Sequence, residues 1–201
     1  MPISYMEPFS NVYAYLEFCE HPDLSRIRPQ ECVSCGRKHP LNKHDQFERD
    51  VFYGKHRYRI TLFRFRCGAC SKTVTVYPSF IGRYQRCMWG LQEEVLLEHE
   101  DGKSLEQAGE AVPYPSGPIS SKTIWRWSKR WMTWMELIEP EFWRCVLTAK
   151  PTLEIPRGRD RPAKPIALWK QIWCEALPMG VSVGLFQGLS YLRHSNEHFA
   201  S

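Results

Sequence analysis

Apolar residues recur along this chain in two rhythms. In the first half the rhythm is two: Tyr58, Ile60 and Leu62 alternate with Arg59, Thr61 and Phe63, which predicts a half-buried strand. Gly54-Lys55 makes a turn before it, and the run KTVTVY over 72–77 predicts a further strand. After Pro78 and a short basic linker with Arg83 and Arg86, the rhythm changes to three and four. A helix is predicted over 88–99, with Leu91, Val95 and Leu96 on one face, closed by Asp101-Gly102. A second is predicted over 105–112, started by Ser104 with Gln107 as its capping-box partner. Pro113, Pro115, Gly117 and Pro118 then force a loop. A third helix begins at Ser120 or Ser121, with an apolar stripe of Ile124, Trp127, Trp131, Trp134 or Met135, and Ile138. Lys122, Arg126, Lys129, Arg130 and Thr133 fall mostly on its other faces.

Beyond 150 the pattern breaks into prolines (Pro151, Pro156, Pro162, Pro165) among Arg157, Arg159, Arg161 and Lys164. This predicts an extended linker, either simply solvated or lying along phosphates. Two stripes follow, Ile166, Trp169, Ile172, Trp173 and Leu177, then Leu185, Phe186, Leu189 and Leu192, separated by Pro178-Met179-Gly180. They predict a helical hairpin that must bury its apolar faces on the third helix or on a second copy of the chain. Trp125 lies off the main stripe, where base stacking is open to it; core packing is the expected use of the other tryptophans.

The chain of 201 residues is long enough for one or two small domains, and 43% hydrophobic with 24% charged residues describes a folding chain, not a disordered one. Its first dozen residues lack a basic cluster followed by an apolar core, so no secretory leader is expected. The uncharged run near 176–192 is too short and too polar to span a bilayer. The expectation is a cytoplasmic protein with no membrane association. In a reducing compartment, paired cysteines hold metal more often than they form disulfides.

Four of the eight cysteines are so paired, Cys32 with Cys35 and Cys67 with Cys70. Two residues between thiols let a tight turn aim both at one ion, and two such knuckles complete a tetrahedral shell for a structural Zn²⁺ with no open coordination position. Gly36 and Gly68 are the residues expected to free the backbone of those turns. The alternative is four buried thiols without a metal. The 31 residues between the knuckles exceed the usual ribbon spacing of about 15–20, so the intervening hairpin must be long or carry an insertion. His39, His44 and His56 are expected at the surface; Cys19, Cys87, Cys145 and Cys174 are expected as ordinary buried thiols.

The net charge of +5 hides a segregation. Residues 22–87 hold 14 bases against five acids, 88–119 one base against seven acids, and 120–135 four bases and no acid. A helix with a basic face that follows a short second helix is how a helix-turn-helix presents its reading element to the major groove. The acidic helices before it are then expected on the side turned away from phosphate. The plainer possibility is an amphipathic helix whose basic face is only solvated.

The order CVSCG, basic hairpin, CGACSKTVTV, then GKSLEQAGEAV and SSKTIWRWSKRW resembles the zinc-ribbon plus helix-turn-helix part of bacterial insertion-sequence transposases and related small regulators. The similarity covers about residues 30–131. It implies Cys32, Cys35, Cys67 and Cys70 as zinc ligands and Ser121, Lys122, Thr123 and Arg126 as DNA contacts. The basic patterning adds Arg57, Arg59, Arg64 and Arg66 of the ribbon as phosphate contacts, and Lys129 and Arg130 of the third helix.

The expected fold class is therefore α+β: an N-terminal segment (1–25), a four-cysteine zinc ribbon of β-hairpin type (26–80), a helix-turn-helix (88–138), a Pro-rich linker (139–165) and a C-terminal helical hairpin (166–201). The expected function is sequence-directed binding of double-stranded DNA for a mobile element or in transcription regulation. The alternative is an adaptor docking on a transposase, polymerase or nuclease partner, and a homodimer fits either. No catalysis is expected: beyond residue 119 the one Asp is Asp160, and no P-loop, Gly-x-Ser-x-Gly or His-Glu-x-x-His motif occurs.

Overall fold

The computed structural model describes residues 3–5, 9, 11–154, 163–177 and 183–197, with the backbone alone at 3–5 and 194–197. The chain is α+β and divides into two units, Met1–Val51 with Arg57–Met88 and Phe52–His56 with Trp89–Ser201. No helix among the described residues is long and apolar enough to cross a membrane.

The first unit is built on a four-stranded sheet of β1 (Ile3–Tyr5), β2 (Asn42–Tyr53), β3 (His56–Arg66) and β4 (Thr73–Tyr77), in the order β1-β4-β3-β2. Strand β1 runs parallel to β4, with Ile3 opposite Thr75; β3 runs antiparallel to it, with Phe63 opposite Val76. The expected long hairpin is β2–β3, turning at Gly54-Lys55. Alternation along β3 holds at Ile60 and Leu62, yet Phe63 and Phe65 on the opposite face are buried too. The cause is a helix at the N-terminus, α1 (Val12–Glu20), whose start is capped by the Asn11 side chain accepting the Ala14 N–H at 3.0 Å. Phe18 of α1 meets Phe63 edge-on, and the Tyr15 hydroxyl donates to the Thr61 carbonyl at 2.5 Å. The strand is thus covered on both faces toward its thiol-bearing end.

The second unit holds α2 (Trp89–Glu100), α3 (Leu105–Ala111), α4 (Ser121–Ala149), α5 (Pro165–Ala176) and α6 (Leu185–Glu197). The capping box forms as expected: the Ser104 side chain accepts the Gln107 N–H, and the Gln107 side chain accepts the Ser104 N–H. Ser120 is the N-cap of α4. That helix runs on through Pro140 to Ala149, into the stretch 139–165 expected as a linker. An interior proline costs about 3 kcal/mol. Burying Phe142 and Val146, which extend the stripe of Ile124, Trp127, Trp131, Met135 and Ile138, returns roughly 1.5–3 kcal/mol each and outweighs it. The arginines at 157, 159 and 161 lie outside the described residues, as does the break at 178–180.

Helices α5 and α6 bury their apolar faces on α4, through Trp131 stacked on Phe186 (centroids 3.8 Å apart) and Phe142 stacked on Trp169 (4.0 Å). Helix α2 fixes their ends. Neither Glu93 nor Glu100 is a solvated charge on a supporting helix. Glu100 accepts the Ile166 and Ala167 N–H groups at 2.9 Å each, at the start of α5, which has no side-chain cap of its own. Glu93, only 3% exposed, accepts the Phe186 N–H of α6 at 2.9 Å and pairs with Lys170 of α5 at 2.9 Å. An anionic acceptor at a helix start meets both the free amides and the positive end of the helix dipole. Glu93→Ala leaves the start of α6 and the half-exposed Lys170 without their shared acceptor, and is expected to cost about 2 kcal/mol. Glu100→Ala removes a cap alone, at about 1 kcal/mol. Chemical denaturation of the two variants checks both the size and the order of these losses.

Candidate functional site

The two cysteine knuckles have the same local build. The first precedes β2: the Cys32 N–H donates to the Arg37 carbonyl at 3.0 Å and the Gly36 N–H to the Cys32 carbonyl at 2.8 Å. The second joins β3 to β4: the Cys67 N–H donates to the Lys72 carbonyl at 2.9 Å and the Ser71 N–H to the Cys67 carbonyl at 3.0 Å. In each, the residue after the second cysteine takes the left-handed conformation, Gly36 at φ +67° and Ser71 at φ +57°. Gly68, expected in that role, does not take it; the second knuckle turns one residue beyond Cys70, as the first turns one beyond Cys35.

The four sulfurs lie within 4.8 Å of one another. The Cys32 and Cys70 sulfurs are 3.7 Å apart and those of Cys35 and Cys67 3.8 Å. A tetrahedron with metal–sulfur bonds of about 2.3 Å has edges of about 3.8 Å, so the donor set fits a single ion, while the separations are far above a disulfide bond. Amide N–H groups of Cys70 and Ala69, and the His39 ring, draw the Cys67 thiol down to about 6, against the opposing effect of burial. His39 is more than a surface residue: its Nε2 lies 3.2 Å from the Cys67 sulfur, the place of an outer-shell donor that steadies a ligating thiolate. Cys87 is buried, and Cys19, Cys145 and Cys174 are partly so.

Three of the four β3 arginines are ion-paired. Arg57 pairs with Asp50 at 2.7 Å, Arg59 with Asp50 at 3.4 Å and Glu48 at 3.7 Å, and Arg64 with Asp45 through both carboxylate oxygens. Arg66 is exposed and has no ion pair among the described residues. The signal for this was in the sequence. Counting outward from the two-residue turn at Gly54-Lys55, Asp50 falls opposite Arg59 and Asp45 opposite Arg64, the positions where opposite charges stabilise a strand pair.

At the start of α4, Ser121, Lys122, Trp125, Arg126 and Lys129 are exposed along one side. The Lys129 ammonium sits 6.0 Å from the centre of the Trp125 ring. Two expected contacts are engaged within the protein. The Thr123 hydroxyl bonds the Ser120 hydroxyl at 2.9 Å as part of the cap. The Arg130 guanidinium lies against the Trp89 and Trp134 rings and donates to Gln92 Oε1, which also accepts the Trp131 indole N–H at 3.2 Å. Burial, and after it the nearby Arg193, pushes Arg130 down to about 10. Its position three residues from Trp127 and four from Trp134 puts it at the margin of the apolar stripe, not on the solvent face.

The approach of α4 to α3 is fixed by a close contact. A Cβ on Gly109 would fall 2.2 Å from the Ile119 carbonyl oxygen, and the Ile119 N–H donates back to the Gly109 carbonyl at 3.3 Å. The proline-rich loop is thereby returned onto α3 directly before the α4 cap.

The full chain is expected to hold one equivalent of a thiophilic divalent metal. Elemental analysis checks it: Cys32→Ser and Cys67→Ser should each lose the metal and lower the thermal midpoint, and full occupancy in either variant contradicts the site. No protein-family model matches the chain, and no curated protein or solved structure is significantly similar to it.

Proposed function

We propose that the chain is a non-catalytic, zinc-containing protein that binds double-stranded DNA in a sequence-directed way, in a mobile element or in transcription regulation. The observation that carries this reading is the exposed start of α4. Lys122, Trp125, Arg126 and Lys129 share its open side, directly after a capped short helix held by the Gly109–Ile119 contact. In this reading α3 and α4 are a helix-turn-helix whose second helix enters the major groove by its first turns. Arg126 reads a base edge, while Lys122 and Lys129 neutralise phosphates.

The four-thiol cluster acts as a structural zinc site. Cys32, Cys35, Cys67 and Cys70 would hold the ion and leave no position for substrate or water; bound zinc would cross-link the two knuckles and supply no Lewis-acid chemistry. With Arg57, Arg59 and Arg64 paired inside the hairpin, the ribbon contributes less to phosphate neutralisation than its composition suggests. Arg66 is the member of that set left to contribute.

Selection of bound sequences from a random DNA pool with zinc-loaded protein supplies the site, and titration against salt tests the electrostatic part. Binding is expected to weaken steeply as salt rises. Arg126→Ala is expected to cost about 1–3 kcal/mol and to relax specificity at one base pair. Equal loss on specific and random DNA contradicts the reading role of Arg126. Capture of a protein partner with no salt dependence and no enriched sequence favours the adaptor reading instead. Nicking or joining of DNA in Mg²⁺ or Mn²⁺, abolished by changing one carboxylate, overturns the non-catalytic assignment.

A further inference from the structure

The segment 82–86, Gly-Arg-Tyr-Gln-Arg, belongs to neither the thiol cluster nor α4. Tyr84 within it is 75% exposed, above every other large apolar side chain among the described residues, and has φ +60°. A bulky residue rarely adopts the left-handed conformation, and such strain persists only where the surroundings enforce it. Here they do: the Gln85 N–H donates to the Gly82 carbonyl at 3.1 Å, and the Arg49 guanidinium donates to the Gln85 carbonyl. The turn is thus held in a shape that pushes an aromatic ring into solvent, the reverse of what the hydrophobic effect favours.

The ring is also prepared electrostatically. The Arg83 guanidinium lies 4.4 Å from its centre and donates to its hydroxyl, so a cation backs the ring while most of the side chain stays exposed. Arg86 is exposed and has no ion pair among the described residues. It stands close enough to Arg49 to add to the larger effect of burial in lowering that residue's pKa. No Asp or Glu occurs between residues 51 and 92, so the turn has no acid near it in sequence.

We infer that Arg83, Tyr84 and Arg86 form a second nucleic-acid contact, in which an unpaired nucleobase stacks on the exposed ring of Tyr84 and the flanking phosphates meet the two arginines. A paired base already has both faces stacked, which leaves it nothing to offer the ring. An acidic peptide engages the arginines and gives no use to a flat surface held out under strain. A polyanion with planar groups uses both, and cation-backed aromatic rings are the usual platform for single-stranded bases. This contact rests on the reading of the chain as a DNA-binding protein and extends it to duplexes that carry an unpaired stretch.

The test uses zinc-loaded full chain and fluorescence anisotropy with two probes, the selected duplex with blunt ends and the same duplex with a single-stranded oligothymidine extension. Tyr84→Ala and Tyr84→Gly are expected to weaken binding to the extended probe about tenfold and to leave the blunt duplex unchanged, while Tyr84→Phe binds like the parent. Glycine relieves the backbone strain, so Tyr84→Gly should keep or raise the thermal midpoint while losing the ring. Arg86→Ala should reduce the salt slope on the extended probe by about one. Unchanged binding of the extended probe by Tyr84→Gly overturns this contact, and a loss on the blunt duplex by Arg126→Ala in the same series leaves the α4 reading standing. Equal loss by Tyr84→Gly on both probes with a lowered midpoint assigns Tyr84 a structural role and also overturns it. If Arg126→Ala has no effect while the Tyr84 variants lose the extended probe, the α4 reading fails and the Tyr84 contact holds. Failure of the parent to bind either probe removes both.

Discussion

The first amides of a helix have no carbonyl within the helix to bond, and much of the second unit is arranged around that requirement. Helix α5 begins without a side-chain cap of its own, and both α5 and α6 take acceptors from α2, at Glu100 and Glu93. These residues are seven apart, two turns of helix, and so share one side of α2. The neighbouring Gln92 accepts from Arg130 and Trp131 of α4. One short helix therefore sets the start of two others and the azimuth of a third. Because each bond is directional, α2 permits much less sliding than an apolar contact of similar area.

Net charge along the sequence is accordingly a poor map of charge on the surface. The acidic block at 88–119 spends Glu93, Glu100 and Asp101 on α6, α5 and Lys164. The basic block at 22–87 spends Arg57, Arg59 and Arg64 on β2. Arg130, counted with the basic residues of α4, lies against tryptophan rings. After these withdrawals, Lys122, Arg126 and Lys129 keep their charges exposed along one side of α4. A polyanion responds to such remaining charge, whatever the sum over the chain.

What could be read in advance was what local chemistry determines. Two Cys-x-x-Cys pairs sufficed for a thiol cluster, Ser104 with Gln107 for a helix start, Gly54-Lys55 for a turn, and Ile124 to Ile138 for a buried stripe. What escaped was decided by competition or at a distance. Pro140 reads as a helix end until Phe142 and Val146 are weighed against it. Asn11 with Val12, Tyr15 and Phe18 spells a capped helix, but the segment is too short to stand out before its sheet is known. The partners of Glu93 and Glu100 lie 93 and 66 or 67 residues along the chain, and no periodicity reports that. Of the candidate contacts on α4, Arg130 lies at the stripe margin against Trp89 and Thr123 within the cap, positions that only the packing reveals.

The aromatic stacks on α4 also decide how far this protein is modular. A helix-turn-helix is commonly treated as a portable cassette that can be cut out at the end of its reading helix. Here a cut after Lys150 would strip Phe186 from Trp131 and Trp169 from Phe142, leaving bare rings along α4. It would leave the buried carboxylate of Glu93 with no amide to meet. Such a fragment exposes a sticky apolar seam and is prone to self-association. The portable piece is therefore not α2–α4 but the whole five-helix assembly, and any graft or minimisation must carry the C-terminal pair along.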